Sequence, residues 1–267
     1  MSKPKPGLVQ VTDKHLLEFV ENDSDFAFEM KVVAELRSLQ FECSHSGTYQ
    51  DPVTEKMRQF DIRASKQHGS YELALAVECK NFRQEAPLLL SSVPRIDTEA
   101  FHDVIVRAVT NSYSYVRVNT SMGSLSVYKP GEMVGKKTDQ IMYKDGVLSS
   151  DDSATFDKLN QAVNSCRDLV QKLVSSTAPP YVKAVVPVVV VPAGRLWQVD
   201  YALDGGLVNP PRLVPRATLR IDKFWSTLTT FNQEIEYRLS HLEFLCIDAL
   251  PDIIGGWLGP NGFFQGY

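Results

Sequence analysis

Between Arg58 and Asn81 the chain reads RQFDIRASKQHGSYELALAVECKN, and apolar positions recur at every second residue. In Tyr71–Lys80, Leu73, Leu75 and Val77 fall on one face of a strand, and Ala74, Ala76, Glu78 and Lys80 on the other. The preceding strand, Met57–Lys66, repeats the pattern, with Phe60, Ile62 and Ala64 opposite Asp61 and Arg63. A short polar turn at Gln67–Ser70 joins the two, and their pairing brings Asp61 towards Glu78 near the strand ends. Phe41–Tyr49 alternates weakly and predicts a third strand of an antiparallel meander.

Helical spacing frames this meander. Thr12 is a cap for a helix over Asp13–Asn22 with Leu16, Leu17 and Val20 on one side. Asp25–Gln40 carries Phe28, Val32, Leu36 and Leu39 as an apolar stripe, with Glu29 on its flank. Asp151–Val174 is the clearest helix, its stripe formed by Phe156, Leu159, Val163, Cys166, Val170 and Leu173. Tyr181–Val191 is apolar on both faces, as a strand covered on both sides would be, although Pro187 argues for a bulge or an edge. Leu88–Ser92 and Tyr113–Asn119 predict strands, and Thr98–Val109 a helix with Phe101, Ile105 and Ala108 inward. Leu196–Leu203, Ala217–Ile221 and Leu242–Leu250 predict further strands, with a helical or mixed patch at Phe224–Arg238. The order is that of an α/β protein: a mixed sheet with an antiparallel meander, flanked by helices and followed by a C-terminal elaboration. One domain is expected, with residues 24–92 as its core, 93–150 as an insertion, and 151–267 supplying the long helix, the buried strand and the elaboration.

Composition changes this picture little. Of 267 residues, 43% are hydrophobic and 22% charged, with a net charge of -4. That balance is ordinary for a globular protein and speaks against a bulk nucleic-acid coat, though not against a local basic groove. Cys43, Cys79, Cys166 and Cys246 lie far apart, so neither a zinc site nor a disulfide framework is expected. The N-terminal residues lack the apolar core of a signal peptide and no apolar run reaches membrane-spanning length, which predicts a cytoplasmic protein with no membrane partner.

The chemistry resides in the meander. Asp61 and Glu78 lie in strands otherwise too apolar for unpaired charges. Two carboxylates with Lys80 beside them suit a hard divalent cation and the phosphate it would polarise. The competing arrangement pairs Asp61 with Arg63 and Glu78 with Lys80 as structural salt bridges. Lys129, Lys136, Lys137 and Lys144 lie in a glycine-containing stretch that either grips backbone phosphates or is simply solvated. The five histidines show no ligand spacing and read as surface residues, His45 and His68 being nearest the meander. The tail holding Trp257, Phe263, Phe264 and Tyr267 either docks a partner or second subunit or packs on its own domain.

Three segments, FEMKVVAEL at Phe28–Leu36, FDIRA at Phe60–Ala64 and VECKN at Val77–Asn81, resemble the core of the PD-(D/E)XK nuclease superfamily. The resemblance is nearest to its Mrr-like, restriction-endonuclease-like branch, and it covers residues 24–92 well and the later helix and buried strand loosely. It implies a restriction-endonuclease-like core in which Asp61 and Glu78 are metal ligands, with the backbone carbonyl of Cys79 as a third. Lys80 would steady the attacking water or the phosphate, and Glu29 would support the site from the helix. The dipeptide that gives the family its name stands here as Phe60-Asp61, without the proline. The implied activity is a Mg2+-dependent endodeoxyribonuclease, with Mn2+ as a substitute metal, acting on DNA in defence or repair. The rival expectations are a catalytically inactive relative that binds nucleic acid or protein, and an RNA-directed nuclease; a homodimer stays open.

Overall fold

The computed structural model describes residues 10–51, 54–109, 114–151, 153–176, 181–229 and 232–267. The chain opens with helices α1 (Asp13–Asn22) and α2 (Asp25–Ser38), followed by strands β1 (Glu42–His45), β2 (Thr48–Gln50), β3 (Met57–Gln59), β4 (Ile62–His68) and β5 (Tyr71–Cys79). Next come β6 (Leu88–Pro94), β7 (Phe101–Val109), β8 (Ser114–Met122), β9 (Met133–Lys144) and β10 (Val147–Asp151). Helix α3 (Ser153–Ser175) leads into β11 (Val182–Val191), β12 (Leu196–Tyr201), β13 (Leu207–Leu213), β14 (Arg216–Leu228), β15 (Glu234–Cys246) and α4 (Leu250–Leu258). It is an α/β protein built on a large mixed sheet of 13 strands.

The main path through the sheet is β1-β4-β5-β11-β15-β14-β9-β6-β12-β13. The expected meander is its first segment, β1-β4-β5, all antiparallel. β11 then adds parallel to β5 from Val182 opposite Tyr71 to Val190 opposite Cys79. The alternation along β5 separates two cores. Leu73, Leu75, Val77 and Cys79 pack with Phe28, Val32, Val33 and Leu36 of α2. Ala74 and Ala76 face the other way, onto Val163, Cys166 and Val170 of α3. The helices therefore cover opposite faces of the same strand. Ser24 caps α2 by accepting the Ala27 N–H at 3.2 Å, and Gln40 at φ 66° ends its exit turn in the left-handed region.

Several expectations give way to tertiary context. Phe101–Val109 is strand rather than helix: its residues at 101–105 are all buried, and the β-branched Val104, Ile105 and Val106 fit a sheet covered on both faces. Phe224–Arg238 belongs to the long β14–β15 hairpin, not to a helix. Lys136, Lys137 and Lys144 lie on β9 and not in a loop, and Tyr113 is outside the described residues. Phe156, at the head of the α3 stripe, is exposed. Residues 93–150 are not set apart, since β9 joins β6 to β14 within the common sheet. Pro187 is neither at an edge nor in a bulge. β11 pairs with β7 at Val182 and Lys183 and with β15 from Val188 onward, so the proline occupies the gap where the partner changes and no N–H is required.

The single strand expected over Phe41–Tyr49 breaks into β1 and β2 at Ser46, whose φ is 55°. Gly47 follows, and its carbonyl accepts the Phe60 N–H at 2.9 Å while the Ser46 N–H donates to the Asp61 carbonyl at 3.0 Å. These bonds hold the bend that aims Asp61. A Cβ on Gly47 would meet the Phe60 ring at 2.4 Å. Gly47→Ala is expected to cost about 1–3 kcal/mol through overpacking, read as a lower urea midpoint with unchanged slope.

Candidate acidic site at the sheet end

The β4–β5 ladder starts at Ile62 opposite Val77, so Asp61 and Glu78 face each other one step beyond it. The Asp61 N–H lies 3.5 Å from Glu78 Oε1, and the Cys79 N–H donates to Asp61 Oδ2 at 2.8 Å. Glu78 is fully buried, with a side-chain exposure of 0%, and Asp61 is nearly so at 12%. The expected convergence of the two carboxylates is present.

The ammonium between them is not that of Lys80. β5 ends at Cys79, and the Lys80 backbone N–H instead bonds Val190 O at 3.0 Å. Lys158, from the first turns of α3, places Nζ at 2.8 Å from Asp61 Oδ2 and 3.2 Å from Glu78 Oε2. The registration of α3 comes from its small-residue row: Ala162 and Ser165 follow Lys158 on one helix face, and both are buried. Arg63 locks this placement, its guanidinium bonding Asp168 at 2.7 Å and the Ser165 carbonyl at 3.3 Å. A lysine one turn beyond a row of small residues was the available sequence signal. Asp61 does not pair with Arg63, and Glu78 does not pair with Lys80, in any hydrogen bond or ion pair among the described residues.

Glu29 reaches the same end of the sheet from α2. Its Oε2 lies 2.8 Å from His45 Nε2, and Phe26 packs edge-on against that imidazole at 5.5 Å. His45, which its place in the sequence set near the meander although it reads as a surface residue, is thus a site neighbour. His102 and His241 are buried rather than surface residues. Of the lysines expected to meet phosphate, Lys136 pairs with Glu99 and Lys137 with Asp139 at 2.7 Å, while Lys129 Nζ donates to Ser124 O at 2.6 Å. The tail packs inward: Trp257, Phe263 and Phe264 join the α2-side core.

Electrostatics follow from this crowding. Burial, and then the charge of Asp61, push the Glu78 carboxyl up to about 8, with Lys158 offsetting part of the rise. Burial and Asp61 likewise raise Glu29, against the pull of His45 and Lys158. For Lys158, burial acts to lower the value, but the charges of Glu78 and Asp61 outweigh it and raise the ammonium's affinity for its proton. Two carboxylates therefore share one ammonium, with Glu29 near enough to feel its charge. Among the described residues, no group of three or more His, Cys, Asp or Glu side chains is placed to hold a metal ion.

Compared with family models, curated proteins and solved structures, the chain matches none. Among the described residues, no helix is long and apolar enough to cross a membrane.

Glu78 sets a pH dependence with a definite sign. Its proton is held more tightly in the folded chain, so the stabilisation is complete below its ordinary 4.5 and is lost as pH rises towards about 8. Glu78→Gln is expected to raise the melting temperature, and the gain should grow between pH 5 and pH 8, a window taken from that shift. Lys158→Met, which leaves the acids facing each other, should cost on the order of 3 kcal/mol. Thermal melts across pH check both signs.

Proposed function

We propose that the protein is a metal-dependent nuclease that hydrolyses phosphodiester bonds in DNA, with Asp61 and Glu78 as the metal-holding pair and Lys158 in the part the sequence suggested for Lys80. The observation that carries this reading is the meeting of Asp61, Glu78 and Lys158 at the end of β5, with the carboxylates in excess over the ammonium. The reading draws further support from the order α2, β1, β4, β5, α3, β11, with β11 parallel to β5. When bound, the divalent cation would supply a nucleophilic water near neutral pH and polarise the phosphoryl oxygen.

The chain's own groups do the rest. Asp61 is aimed by the Cys79 N–H and by the bonded bend at Ser46–Gly47, which fixes the carboxylate before substrate arrives. Glu78, its carboxyl raised to about 8, would have to give up its proton to hold a metal. Lys158, at 20% side-chain exposure, is near enough to solvent to swing from the acids to a phosphate and offset charge building in the transition state. His45, hydrogen-bonded to Glu29, stands next to the site and orients that carboxylate.

A second reading is favoured by one observation: Lys158 already bonds both acids, as a purely structural counter-ion would. The chain would then bind nucleic acid or protein without cutting.

Cleavage of supercoiled plasmid with Mg2+ or Mn2+ separates the two. Wild type is expected to nick it, Lys158→Ala to lose at least a hundredfold in rate while still binding Mn2+, and Lys80→Ala to stay within a few-fold. No cleavage with any metal, or full activity of Lys158→Ala, overturns the proposal. Calorimetry of Mn2+ binding in buffers of different ionisation heat should also register proton release below pH 8, the range that Glu78 sets.

A further inference from the structure

A groove of about 480 Å³ runs along the exposed side of α3, between the β2–β3 hairpin and the outer part of β14. Its cations are Arg58, Arg167 and Lys223, contributed by three different elements. None of the three makes an ion pair among the described residues, although most other arginines and several lysines of the chain do. Two carboxylates also line it. Asp51 is occupied within the wall, accepting from Thr54 N–H at 2.8 Å and from Asn164 Nδ2 at 3.0 Å, so it offsets the cations less than an outward-facing acid would. Asp157 is the other.

The groove's far wall is aromatic. Phe224 stands 58% exposed on a strand whose neighbour Trp225 is buried. The Trp225 indole N–H is buried without a hydrogen-bond partner. An exposed phenyl ring beside cations without ion-pair partners offers stacking and charge together, the combination that suits a base and a phosphate.

The groove and the acidic site share α3. Tyr49 donates its hydroxyl to the Gln161 carbonyl of that helix at 3.4 Å, and burial, then the charges of Glu78 and Asp51, raise its phenol. Asp157, in the groove lining, precedes Lys158 in the site.

We propose that this groove binds a short single-stranded segment of nucleic acid, with phosphates on Arg58, Arg167 and Lys223 and a base stacked on Phe224. The proposal deepens the nuclease reading and rests on it for the choice of nucleic acid. Charge favours a single strand over a duplex. Three cations beside two acids, on a chain of net charge -4, fall short of the broad basic footprint a duplex needs. They suffice for a few phosphates when aromatic stacking contributes the rest.

The test is fluorescence anisotropy with labelled oligo-dT, the same sequence as a duplex, and the full-length chain in EDTA. Arg58 and Lys223 are exposed, so charge reversal there leaves the core untouched. Arg58→Glu with Lys223→Glu should weaken oligo-dT binding at least tenfold and flatten its salt slope by about 0.7 per lost contact. Phe224→Ala should weaken it at least about fivefold without changing that slope. Lys80→Ala, which removes a cation outside the groove, should bind as wild type does. Tighter binding of duplex than of single strand, or unchanged binding in both groove variants, overturns the groove. Binding that follows this pattern in a protein that never cleaves leaves the groove standing and overturns only the nuclease reading.

Discussion

Everything at the acidic site depends on how closely α3 can approach β5. The strand presents Ala74 and Ala76 on that face, and the helix answers with Ala162, Ser165 and Cys166. Small side chains on both surfaces bring backbone near backbone, and the interior is filled without bulk. A carboxylate at the next position of that face, Glu78, is then cut off from water and must find its partner on the helix. Lys158 is the one within reach. Larger residues at 74 or 76 would hold the helix off and leave Glu78 either solvated or unpaired.

The same protein buries other carboxylates in a different manner. Glu243, also without exposed surface, is gripped by both ends of one guanidinium, Arg216, at 2.8 and 2.9 Å. Asp200 is met by Arg212 at 2.6 Å, Gln198 at 2.7 Å and Asn209 at 3.4 Å. Those are saturated arrangements, in which nearly every lone pair has a donor. Glu78 shares one ammonium with a second acid and keeps its proton into the neutral range. A fold selected for stability alone has a better solution available and uses it elsewhere. The uneven treatment places the strain of unmet charge at the end of β5.

How much of this could be read from the sequence follows from which forces are local. The two-residue period of β5 and the stripe of α3 are local, and both elements stand where the periodicity put them. So does the meeting of Asp61 and Glu78, because a hairpin of known register fixes it. Lys80 shows where local reasoning ends: alternation holds only while the strand lasts, and the strand stops one residue earlier. Lys158 comes from a helix nearly a hundred residues away in sequence, and nothing in the period of either element says how one will be rotated over the other. In Phe101–Val109 the apolar positions satisfy a helical and a doubly buried strand pattern at once, and the β-branched residues, with β11 and β8 as neighbours, decide it.

The position of β11 has a bearing on biosynthesis. This valine-rich strand lies between β5, made early, and β15, made more than forty residues after it. On the ribosome, β4 and β5 emerge long before the strand that covers their flank, and β11 in turn waits for β15 with an open apolar edge. The flank of β5 is thus covered only when later-translated chain has added β11 and β15, and a form lacking them presents an edge that other chains can extend.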